Sequence, residues 1–523
     1  MGGREGEEGA EEDREAWQDA KRSRIIIYLL AAFFSLVLSY DSSIRGAVIN
    51  ADGICYLQSA QALAYGTLKS AIGLCGQARW PFYIVLIHGV AQATHFSYAA
   101  SAFFLNSLFS LLSVLSFIYF ISLSTQSIRV LCFGAATILL AAEFNSVREY
   151  VVRDHGFWAF YLLSCICLNK FYQNLSLKFA LAWSASLIVA ILFRIEGSLF
   201  LLLLPFSILI FGNLKLQQRL GAFLKLHALS LMLLASLMIY TMLHPTFDGW
   251  SRLNEVQFQL MHGIGNLKTS FHTHAKALAD NVLSIYAARD ASIILTLMLC
   301  SWFVYSVILN VSGIYALLII YAWMQKSISL DSPKRWTLFS YLVINLLITG
   351  IFLAENLFLS KRYLIALSLM LLVWVPFALE DIFVKHAKRR WILPTLATLV
   401  FITSLSGVFD FGYSKLYIKH SGVWLAEHAP LGAKIYTNNQ QVMYFSNHFG
   451  NSIFRTSLAY DDLKYLAHDK WRKFDFLAIY VKANDTIAKK EIMDEIPLSP
   501  AHVYANKRGD QVLLYQVEQR DFK

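Results

Sequence analysis

Long apolar runs recur along most of this chain, and they constrain its fold more than any other feature. The runs are roughly 16 to 24 residues long, enough for a helix to cross a hydrocarbon core of ~30 Å. The chain is 57% hydrophobic and 15% charged, whereas soluble proteins carry about 25% charged residues. Inside lipid a backbone must satisfy its own hydrogen bonds, which a helix does internally. The sequence therefore predicts an all-α polytopic membrane domain.

The net charge is +10, but the positions of the basic residues argue against a nucleic-acid ligand. Lys and Arg cluster in short connectors between apolar runs, as the positive-inside rule expects of cytoplasmic loops. Residues 1–24 are rich in Glu and Gly, and we expect a disordered acidic tail there. Lys21, Arg22 and Arg24 precede the first run and predict a cytoplasmic N-terminus. We expect no cleavable signal peptide, because that run lacks a small-residue cleavage site.

We predict about eleven crossings, with the N-terminus inside and the C-terminus outside. The run 81–96 is short and interrupted by His88 and Gln92, so we interpret it as a re-entrant or interfacial helix. With that run left out of the count, Arg129 and the later basic clusters all fall on the cytoplasmic side. The run 292–324 is too long for one straight helix and short for two, so a single crossing and a broken helix both remain open. The predicted external loops are 41–98, 145–155, 244–290 and 355–362.

The composition changes after Phe409 to that of a soluble protein. We therefore predict a transmembrane catalytic domain over 25–409 and a small extracytoplasmic α/β domain over 410–523. Runs typical of strands occur at 433–437, 441–445, 474–481 and 511–517. Helical patterns occur at 423–428 and 457–470.

Two acidic residues in the predicted external loops are the candidates for catalysis. Asp52 follows the first span, and Tyr56 lies one helical turn further on. A carboxylate there can accept a proton from an acceptor hydroxyl or hold a divalent metal. A solvated helix-capping role is the alternative. Asp154 opens a later span, where helix capping alone also explains an acid.

Arginines lie close to Asp154 in the sequence and are candidates for binding a phosphate. Arg148 and Arg153 fall within seven residues together with Glu149 and Asp154. The planar arginine fork is well suited to phosphate oxygens. A plain interfacial charge cluster is the alternative.

Charged residues also stand where two later pairs of spans meet. Arg194 and Glu196 separate two apolar runs with almost no loop, and charge at that depth is costly unless it is paired or faces a cavity. They either pair only with each other at a tight turn or line a site. Lys361 and Arg362 open another span, where snorkelling explains one cation. Two cations at a cavity rim also suit a lipid-linked phosphate.

The cysteines and histidines give weaker signals. Cys55 and Cys75 share the first external loop, where a disulfide and two free thiols both remain open. His262, His272 and His274 lie in the loop 244–290 without an acidic partner at a recognisable metal-site spacing. We assign no metal site and no certain cofactor, although a divalent metal at the acidic sites stays open.

Several short motifs occur in an order that resembles the GT-C superfamily of membrane glycosyltransferases, in its protein-mannosyltransferase and aminoarabinose-transferase-like branch. Each motif is weak alone, and their order and common sidedness carry the resemblance. The motifs are Asp52-Gly-Ile-Cys-Tyr56, Ala-Leu-Ala-Tyr-Gly66, Arg79-Trp80-Pro81-Phe-Tyr83, Arg153-Asp154, Arg194-Ile-Glu196-Gly197, Lys361-Arg362-Tyr363 and Gly422-Val-Trp424-Leu-Ala-Glu-His428-Ala-Pro430-Leu-Gly432.

The resemblance implies an inverting transfer of a sugar from a polyprenyl-phosphate carrier to a lipid, glycan or protein acceptor at the extracytoplasmic face. It implies that Asp52 is the general base and that Asp154 orients the acceptor or a neighbouring Arg. Arg153, Lys361 and Arg362 are then candidates to neutralise the departing lipid phosphate. The resemblance also favours a bacterial inner membrane and a role in cell-envelope glycan biosynthesis. It adds Tyr56, Arg148, Arg194 and Glu196 as residues near the substrate.

Two other classes of protein fit part of the sequence. A flippase or transporter for a lipid-linked glycan also needs charged residues, but it predicts them in the middle of spans and in two related halves. Here the charges crowd one face. An O-antigen polymerase or ligase would place its key residues in one large external loop, for which 244–290 is the candidate. That assignment leaves Asp52 and Asp154 without a role.

Overall fold

The computed structural model describes most of the chain: residues 4–45, 48–211, 214–243, 250–328, 332–386, 391–409, 412–448, 452–454, 466 and 469–517. Helices dominate it. In the first half they are α1 (Arg4–Arg45), α2 (Ala51–Ala62), α3 (Leu68–Ile72), α4 (Phe82–Thr94), α5 (Tyr98–Ser122), α6 (Ile128–Leu139), α7 (Ala142–Ser146), α8 (Asp154–Asn174), α9 (Leu177–Phe193), α10 (Gly197–Leu203), α11 (Phe206–Phe211) and α12 (Leu216–Leu243).

Among the described residues, the second half adds ten helices and five strands. The helices are α13 (Trp250–Asn281), α14 (Ala291–Val311), α15 (Gly313–Gln325), α16 (Ser332–Asn356), α17 (Lys361–Leu371), α18 (Val375–Lys385), α19 (Ile392–Val408), α20 (Leu416–His428), α21 (Gln440–Ser446) and α22 (Thr486–Glu495). The strands are β1 (Ile435–Thr437), β2 (Ser452–Phe454), β3 (Phe476–Val481), β4 (His502–Ala505) and β5 (Gln511–Gln516).

The apolar helices confirm an integral membrane protein with a polytopic α-helical domain. Among the described residues, six helices are long and apolar enough to cross a membrane, and a seventh span results if α6 and α7 are joined across their 47° bend. Several shorter apolar helices accompany them, α4 and α9 among them. The count of eleven crossings remains a prediction.

The ambiguous run 292–324 is a broken helix. It forms α14 and α15, which are separated at Ser312, a residue with φ of +75°. The Ser312 hydroxyl accepts a hydrogen bond from the Tyr315 amide and so begins α15. Ser312 thus lies between the end of one helix and the start of the next, which its side chain caps.

Two segments are more helical than predicted. Helix α1 begins at Arg4 rather than after a disordered tail over 1–24, because the tail is rich in Glu, Ala and Arg, which are strong helix formers. The polar loop predicted at 244–290 contains α13 over 32 residues. Its apolar residues recur at spacings of three and four, at Leu260, Ile264, Leu267 and Phe271, which is the pattern of an amphipathic helix. Residues 244–249 lie outside the described residues.

The chain divides into two compact units, and the division differs from the predicted domain boundary at 409. Unit 1 comprises Met1–Leu38, Asn106–Val147 and Arg153–Val408, and unit 2 comprises Ser39–Leu105, Arg148–Val152 and Phe409–Lys523. The loop predicted to be external at 41–98 therefore belongs with the C-terminal α/β domain. Hydrogen bonds explain this grouping: the Gln441 side chain donates to the Ile49 carbonyl (2.8 Å), and the Asn50 side chain accepts from the Val151 amide (2.9 Å).

The C-terminal domain contains a mixed sheet in the order β2-β1-β3-β5-β4, with the first three strands parallel and β5 antiparallel to both β3 and β4. Alternate residues of β3 face two separate apolar clusters, so both faces of the sheet are covered. Leu477 and Ile479 belong to one cluster, and Phe476 and Ala478 belong to the other.

Three of the four predicted strands are confirmed, at β1, β3 and β5. The strand predicted at 441–445 is wrong, because the segment forms α21. The Asn439 side chain accepts hydrogen bonds from the amides of Gln441 and Val442, which starts a helix. Strands β2 and β4 and helix α22 were not predicted, whereas most of the helix predicted at 457–470 lies outside the described residues.

Candidate active site

A buried arginine joins two carboxylates at one end of unit 1. Arg194 follows the last residue of α9, and Glu196 precedes α10. The Arg194 guanidinium contacts the Asp154 carboxylate through Nη1, and it donates to Glu196 through Nη2 (2.5 Å) and Nε (3.3 Å). Only 10% of the Arg194 side chain and 6% of the Asp154 side chain is exposed. Of the two alternatives for Arg194, an isolated pair with Glu196 is therefore wrong.

Aromatic rings complete the surroundings of this arginine. The guanidinium carbon lies 4.5 Å from the centroid of the Tyr363 ring and 5.8 Å from that of Phe157. A guanidinium over a ring face gains a cation–π interaction that strengthens when water is excluded. Arg194 thus links the starts of α8, α10 and α17, and removing it would leave two carboxylates without their shared cation.

Asp154 does not act as a helix cap. The N-cap residue of α8 is Arg153, and Asp154 is the first residue of the helix, with its carboxylate on Arg194. The half-buried Arg153 lies within electrostatic range of Glu196. Asp154 and Arg153 are adjacent in the sequence, but they therefore interact with different residues.

A second ion pair joins α17, the helix that carries Tyr363, to α7. The Lys361 ammonium contacts the Glu143 carboxylate at 2.6 Å, and the guanidinium of Arg362 lies 5.4 Å from the Tyr363 ring centroid. Lys361 is 66% exposed, while Glu143 is 16% exposed. Glu143 was missed because it falls inside a run counted as a span, although a lone acid in such a run is a functional signal in its own right.

The opposite end of unit 1 carries a separate charged pair. Arg129, at the start of α6, contacts Glu380 of α18 at 3.1 Å. Glu380 lies 19 positions after Lys361 on one candidate span, Lys361–Lys385, which corresponds to roughly 28 Å of helical rise. Arg129 and Lys385 therefore share one end of this unit, and Glu143 and Lys361 share the other, as the predicted topology requires.

In unit 2, Asp52 lies in the first turn of α2. The N-cap residue is Asn50, whose side chain bonds Val151 instead of the helix, so the capping alternative for Asp52 does not hold. Asp52 is half-buried, and its Oδ1 accepts a hydrogen bond from the Gln77 side chain at 3.0 Å. A carboxylate in the first helical turn also gains from the helix dipole.

The structure fixes the loop around Asp52 with a disulfide between Cys55 and Cys75. Cys55 is one turn after Asp52 on α2, and Cys75 is two residues before Gln77. The covalent link therefore holds the Asp52 helix against the segment that hydrogen-bonds its carboxylate. This settles the alternative left open by the sequence.

Two predicted substrate-binding residues are interior residues of unit 2. Tyr56 is 3% exposed and packs edge-on against Tyr83, with 5.2 Å between ring centroids. Arg148 is also 3% exposed and donates to the Ser39 hydroxyl at 2.7 Å. The sequence shows which side chain is charged and which is aromatic, but not that both are buried. In the structure both residues pack in the interior of unit 2.

The structure thus brings Asp154, Arg194 and Glu196 together, with Arg153, Lys361 and Arg362 on elements that meet at the same end of unit 1. Asp52 belongs to unit 2, and its joint action with Asp154 remains a prediction. Within the described residues, no group of three or more His, Cys, Asp or Glu side chains is arranged to hold a metal ion. His272 and His274 lie on α13, and His262 is outside the side chains described.

Solved proteins resemble this chain over most of its length. An oligosaccharyltransferase from Archaeoglobus fulgidus, in complex with Zn and sulfate, matches with a TM-score of 0.54 and 11% identity over 93% of this chain and 72% of that one. AglB from the same organism, with an inhibitory peptide and a dolichol-phosphate, matches with a TM-score of 0.51 and 11% identity over 95% and 74%. ArnT from Cupriavidus metallidurans, bound to undecaprenyl phosphate, matches with a TM-score of 0.53 and 13% identity over 94% and 97%.

The chain has the GT-C fold. No protein-family model and no curated protein matches the sequence, so the likeness is one of structure. The fold comparison confirms the predicted class, an all-α membrane domain with a small α/β domain after it.

An apolar groove is a further feature of this GT-C domain. It is about 600 Å³ in volume and lies within unit 1. Its walls come from α14 to α17 and from Trp374, and Arg335 contributes its one charged side chain among the described residues. The lining includes Phe303, Val307, Trp323, Leu338, Leu342 and Leu371. Such a surface suits a hydrocarbon chain rather than a polar molecule.

Proposed function

We propose that this protein is an inverting glycosyltransferase of the outer membrane face, with a polyprenyl-phosphate-linked hexose or pentose as its donor. The acceptor is a hydroxyl of a lipid, glycan or protein of the cell envelope. The observation that carries the proposal is the buried Asp154–Arg194–Glu196 group on a GT-C fold. Charges buried in a membrane protein are costly, and their retention at one end of the bundle favours a one-sided chemical site.

The proposed reaction is a single displacement at the anomeric carbon. Asp52 accepts the proton of the acceptor hydroxyl as its oxygen forms a bond to that carbon. The bond between the anomeric carbon and the phosphate oxygen breaks, and the electron pair leaves with the lipid phosphate. Arg153, Lys361 and Arg362 neutralise that charge as it grows. The configuration at the anomeric carbon inverts, because attack and departure occur on opposite faces.

Asp154 and Glu196 have a positioning role in this proposal. They orient the guanidinium of Arg194 and share its charge, so this arginine is not free to follow the leaving group. The exposed Lys361, held by Glu143, is the more accessible cation for a lipid phosphate. The apolar groove bounded by Trp323 and Leu342 is suited to the tail of the carrier. The relatives bound to dolichol-phosphate and undecaprenyl phosphate support this choice of carrier.

The test is genetic complementation with a chemical readout. Cells lacking the protein receive the wild type, Asp52→Asn or Asp469→Asn, and mass spectrometry compares their surface glycans and lipids. Asp469 is an exposed acid paired with Arg472, and it serves as the control for loss of one carboxylate. We expect wild type and Asp469→Asn to restore the missing hexose or pentose, and Asp52→Asn to fail at equal protein level. Full restoration by Asp52→Asn would remove Asp52 from the role of base.

A further inference from the structure

Unit 2 contains a polar cleft that the proposed catalytic step does not use. It has a volume of about 520 Å³ and is lined by the segment before and at the start of α20, the β1–α21 turn, and the β4–β5 turn. Polar side chains dominate the lining, in contrast to the apolar groove of unit 1. The polar lining residues are Tyr413, Lys415, Tyr417, Asn438, Asn439, Gln440, Gln441, Tyr480, Asn506, Arg508 and Asp510.

Two tyrosines lie in one wall of the cleft, Tyr480 half-buried and Tyr417 only 6% exposed. The rings of Tyr417 and Tyr480 are stacked, with 6.4 Å between their centroids and 21° between their planes. Burial raises the pKa of both phenols, so they stay neutral at physiological pH. Tyrosine offers an apolar ring face together with a polar hydroxyl, a combination that suits a ligand with both C–H faces and hydroxyls.

A row of amide side chains faces the cleft beside the tyrosines. Asn438 accepts from the Tyr480 amide (2.7 Å) and donates to the Tyr480 carbonyl (2.9 Å), which fixes the end of β1 against β3. Asn439 caps α21, so Gln440 and Gln441 stand at a rigid helix start. Asn438 is 6% exposed and already engaged by Tyr480, while Asn439 and Gln441 each have one amide position in use. Gln440 and the second amide positions of Asn439 and Gln441 can still donate and accept hydrogen bonds, which matches the hydroxyl groups of a saccharide.

Two exposed cations, Lys415 and Arg508, give the cleft a net positive charge. The acid among the described lining residues, Asp510, is already engaged: it accepts from the Ala483 amide (2.9 Å) and from the Asn506 side chain (3.0 Å). Burial opposes its ionisation, but these hydrogen bonds hold the pKa of Asp510 below its usual range. Asp510 also interacts electrostatically with Arg508, so the described lining carries two cations against one acid and its net charge is positive.

The cleft adjoins the proposed base. Its lining includes Ala51, the first residue of α2 and the immediate neighbour of Asp52. Gln441, also in the lining, donates to the Ile49 carbonyl and so ties the cleft to the chain that leads into α2. A ligand bound here extends toward the helix that carries the carboxylate.

We propose that this cleft binds the saccharide portion of the acceptor, and that this saccharide carries an anionic group opposite Lys415 and Arg508. The identification of the ligand as the acceptor rests on the proposed glycosyl transfer, but the binding of the saccharide does not depend on catalysis. The Tyr480 ring covers one face of the sugar, Gln440 and the open amide positions of Asn439 and Gln441 meet its hydroxyls, and the cations meet its phosphate or carboxylate.

Direct binding tests the proposal. The full chain, purified in detergent, is applied to an array of neutral glycans, acidic glycans and peptides, in four forms: wild type, Lys415→Ala/Arg508→Ala, Lys434→Ala/Lys473→Ala and Asp52→Asn. Lys434 and Lys473 are exposed cations of the same domain outside the cleft. We expect wild type to bind acidic glycans, with weaker binding as salt increases.

The Lys415→Ala/Arg508→Ala form should bind those glycans about tenfold or more weakly, because both cations that meet the anionic group of the glycan are removed. The control pair and Asp52→Asn should bind like the wild type. Equal binding of neutral glycans, binding of peptides instead, absence of any glycan binding, or an equal loss in the control pair would overturn the proposal. Because the Asp52→Asn form is expected to bind glycans without transferring a sugar, the binding result can be interpreted even if the catalytic proposal fails.

Discussion

At the scale of single residues, Arg194 is the centre of the buried charged cluster in unit 1. It contacts two carboxylates and two rings while almost fully buried. Its partner Asp154 lies 40 positions earlier in the chain. Breaking a buried ion pair from one side costs about 3–5 kcal/mol, because the remaining charge stays in a poorly solvated place. The cluster is therefore stable only as a whole.

A double-mutant cycle on Asp154 and Arg194 tests this coupling. We expect Asp154→Asn and Arg194→Gln each to lower the free energy of unfolding, and the double variant to lose less than the sum by about 1–3 kcal/mol. The measurement is reversible unfolding of the purified protein in mixed micelles by SDS titration. Transfer activity should fall at least tenfold in all three variants, because each breaks the cluster that links the starts of α8, α10 and α17, next to Arg153 and Lys361.

The same cycle on Lys361 and Glu143 serves as the comparison. Lys361 is largely exposed, so the pair should show a coupling below about 1 kcal/mol. A coupling energy for Asp154 and Arg194 that is no larger than this would contradict the buried cluster described for unit 1.

At the scale of elements, the Cys55–Cys75 disulfide determines how α2 is presented. It closes a loop with a sequence separation of 20, for which chain entropy gives roughly 3 kcal/mol of stabilisation. Asp52 and Gln77 lie on the two segments that it joins. The geometry of the proposed base therefore depends on an oxidising compartment, in keeping with an extracytoplasmic loop.

Thiol counting checks the link directly. Denatured but unreduced protein should react with a maleimide mass tag at four cysteines, and reduced protein at all six. The double variant Cys55→Ser/Cys75→Ser should lower the stability of unit 2 by about 3 kcal/mol and reduce transfer. Six reactive thiols before reduction would show that the disulfide does not form.

At the scale of the whole molecule, ion pairs mark the two ends of unit 1. Arg129–Glu380 lies at one end, and Glu143–Lys361 lies at the other. Because basic residues are enriched on the cytoplasmic side, we predict that the Arg129 end faces the cytoplasm.

Cysteine labelling in intact cells and in inverted vesicles tests that orientation. Single cysteines at Gln126, Lys385 and Glu355 are introduced after the four free native cysteines are replaced by alanine. An impermeant maleimide should label position 355 from outside, and positions 126 and 385 only in inverted vesicles. Labelling of position 385 in intact cells would reverse the orientation and remove Asp154 from the outer face.

Much of the fold follows from sequence periodicity because long apolar runs and strand-like segments act locally. The membrane domain and strands β1, β3 and β5 were predictable for this reason. The helix α21 was not, since Val442 and Met443 look like strand residues until the side chain of Asn439 is seen to cap them. The length of the run 292–324 left a broken helix open, but the position of the break at Ser312 was not predicted.

The site was predictable as a set of residues but not as a set of contacts. Charges next to apolar runs identified Asp154, Arg194 and Glu196, because such charges are costly. Which acid Arg194 binds depends on the packing of α8 against α9, which sequence spacing does not encode. Burial likewise separates Arg148, an interior residue, from the exposed Lys361.

The division of the chain affects how its parts can be exchanged between relatives. The C-terminal domain shares unit 2 with segments 39–105 and 148–152, and Gln441 is hydrogen-bonded to Ile49. A chimera in which another protein supplies only residues 409–523 would lose the hydrogen bond between Gln441 and Ile49, and α2 would then pack against a domain of different sequence. The unit that could be exchanged consists of three separate segments of the chain. All three must be transferred together to preserve the surroundings of Asp52.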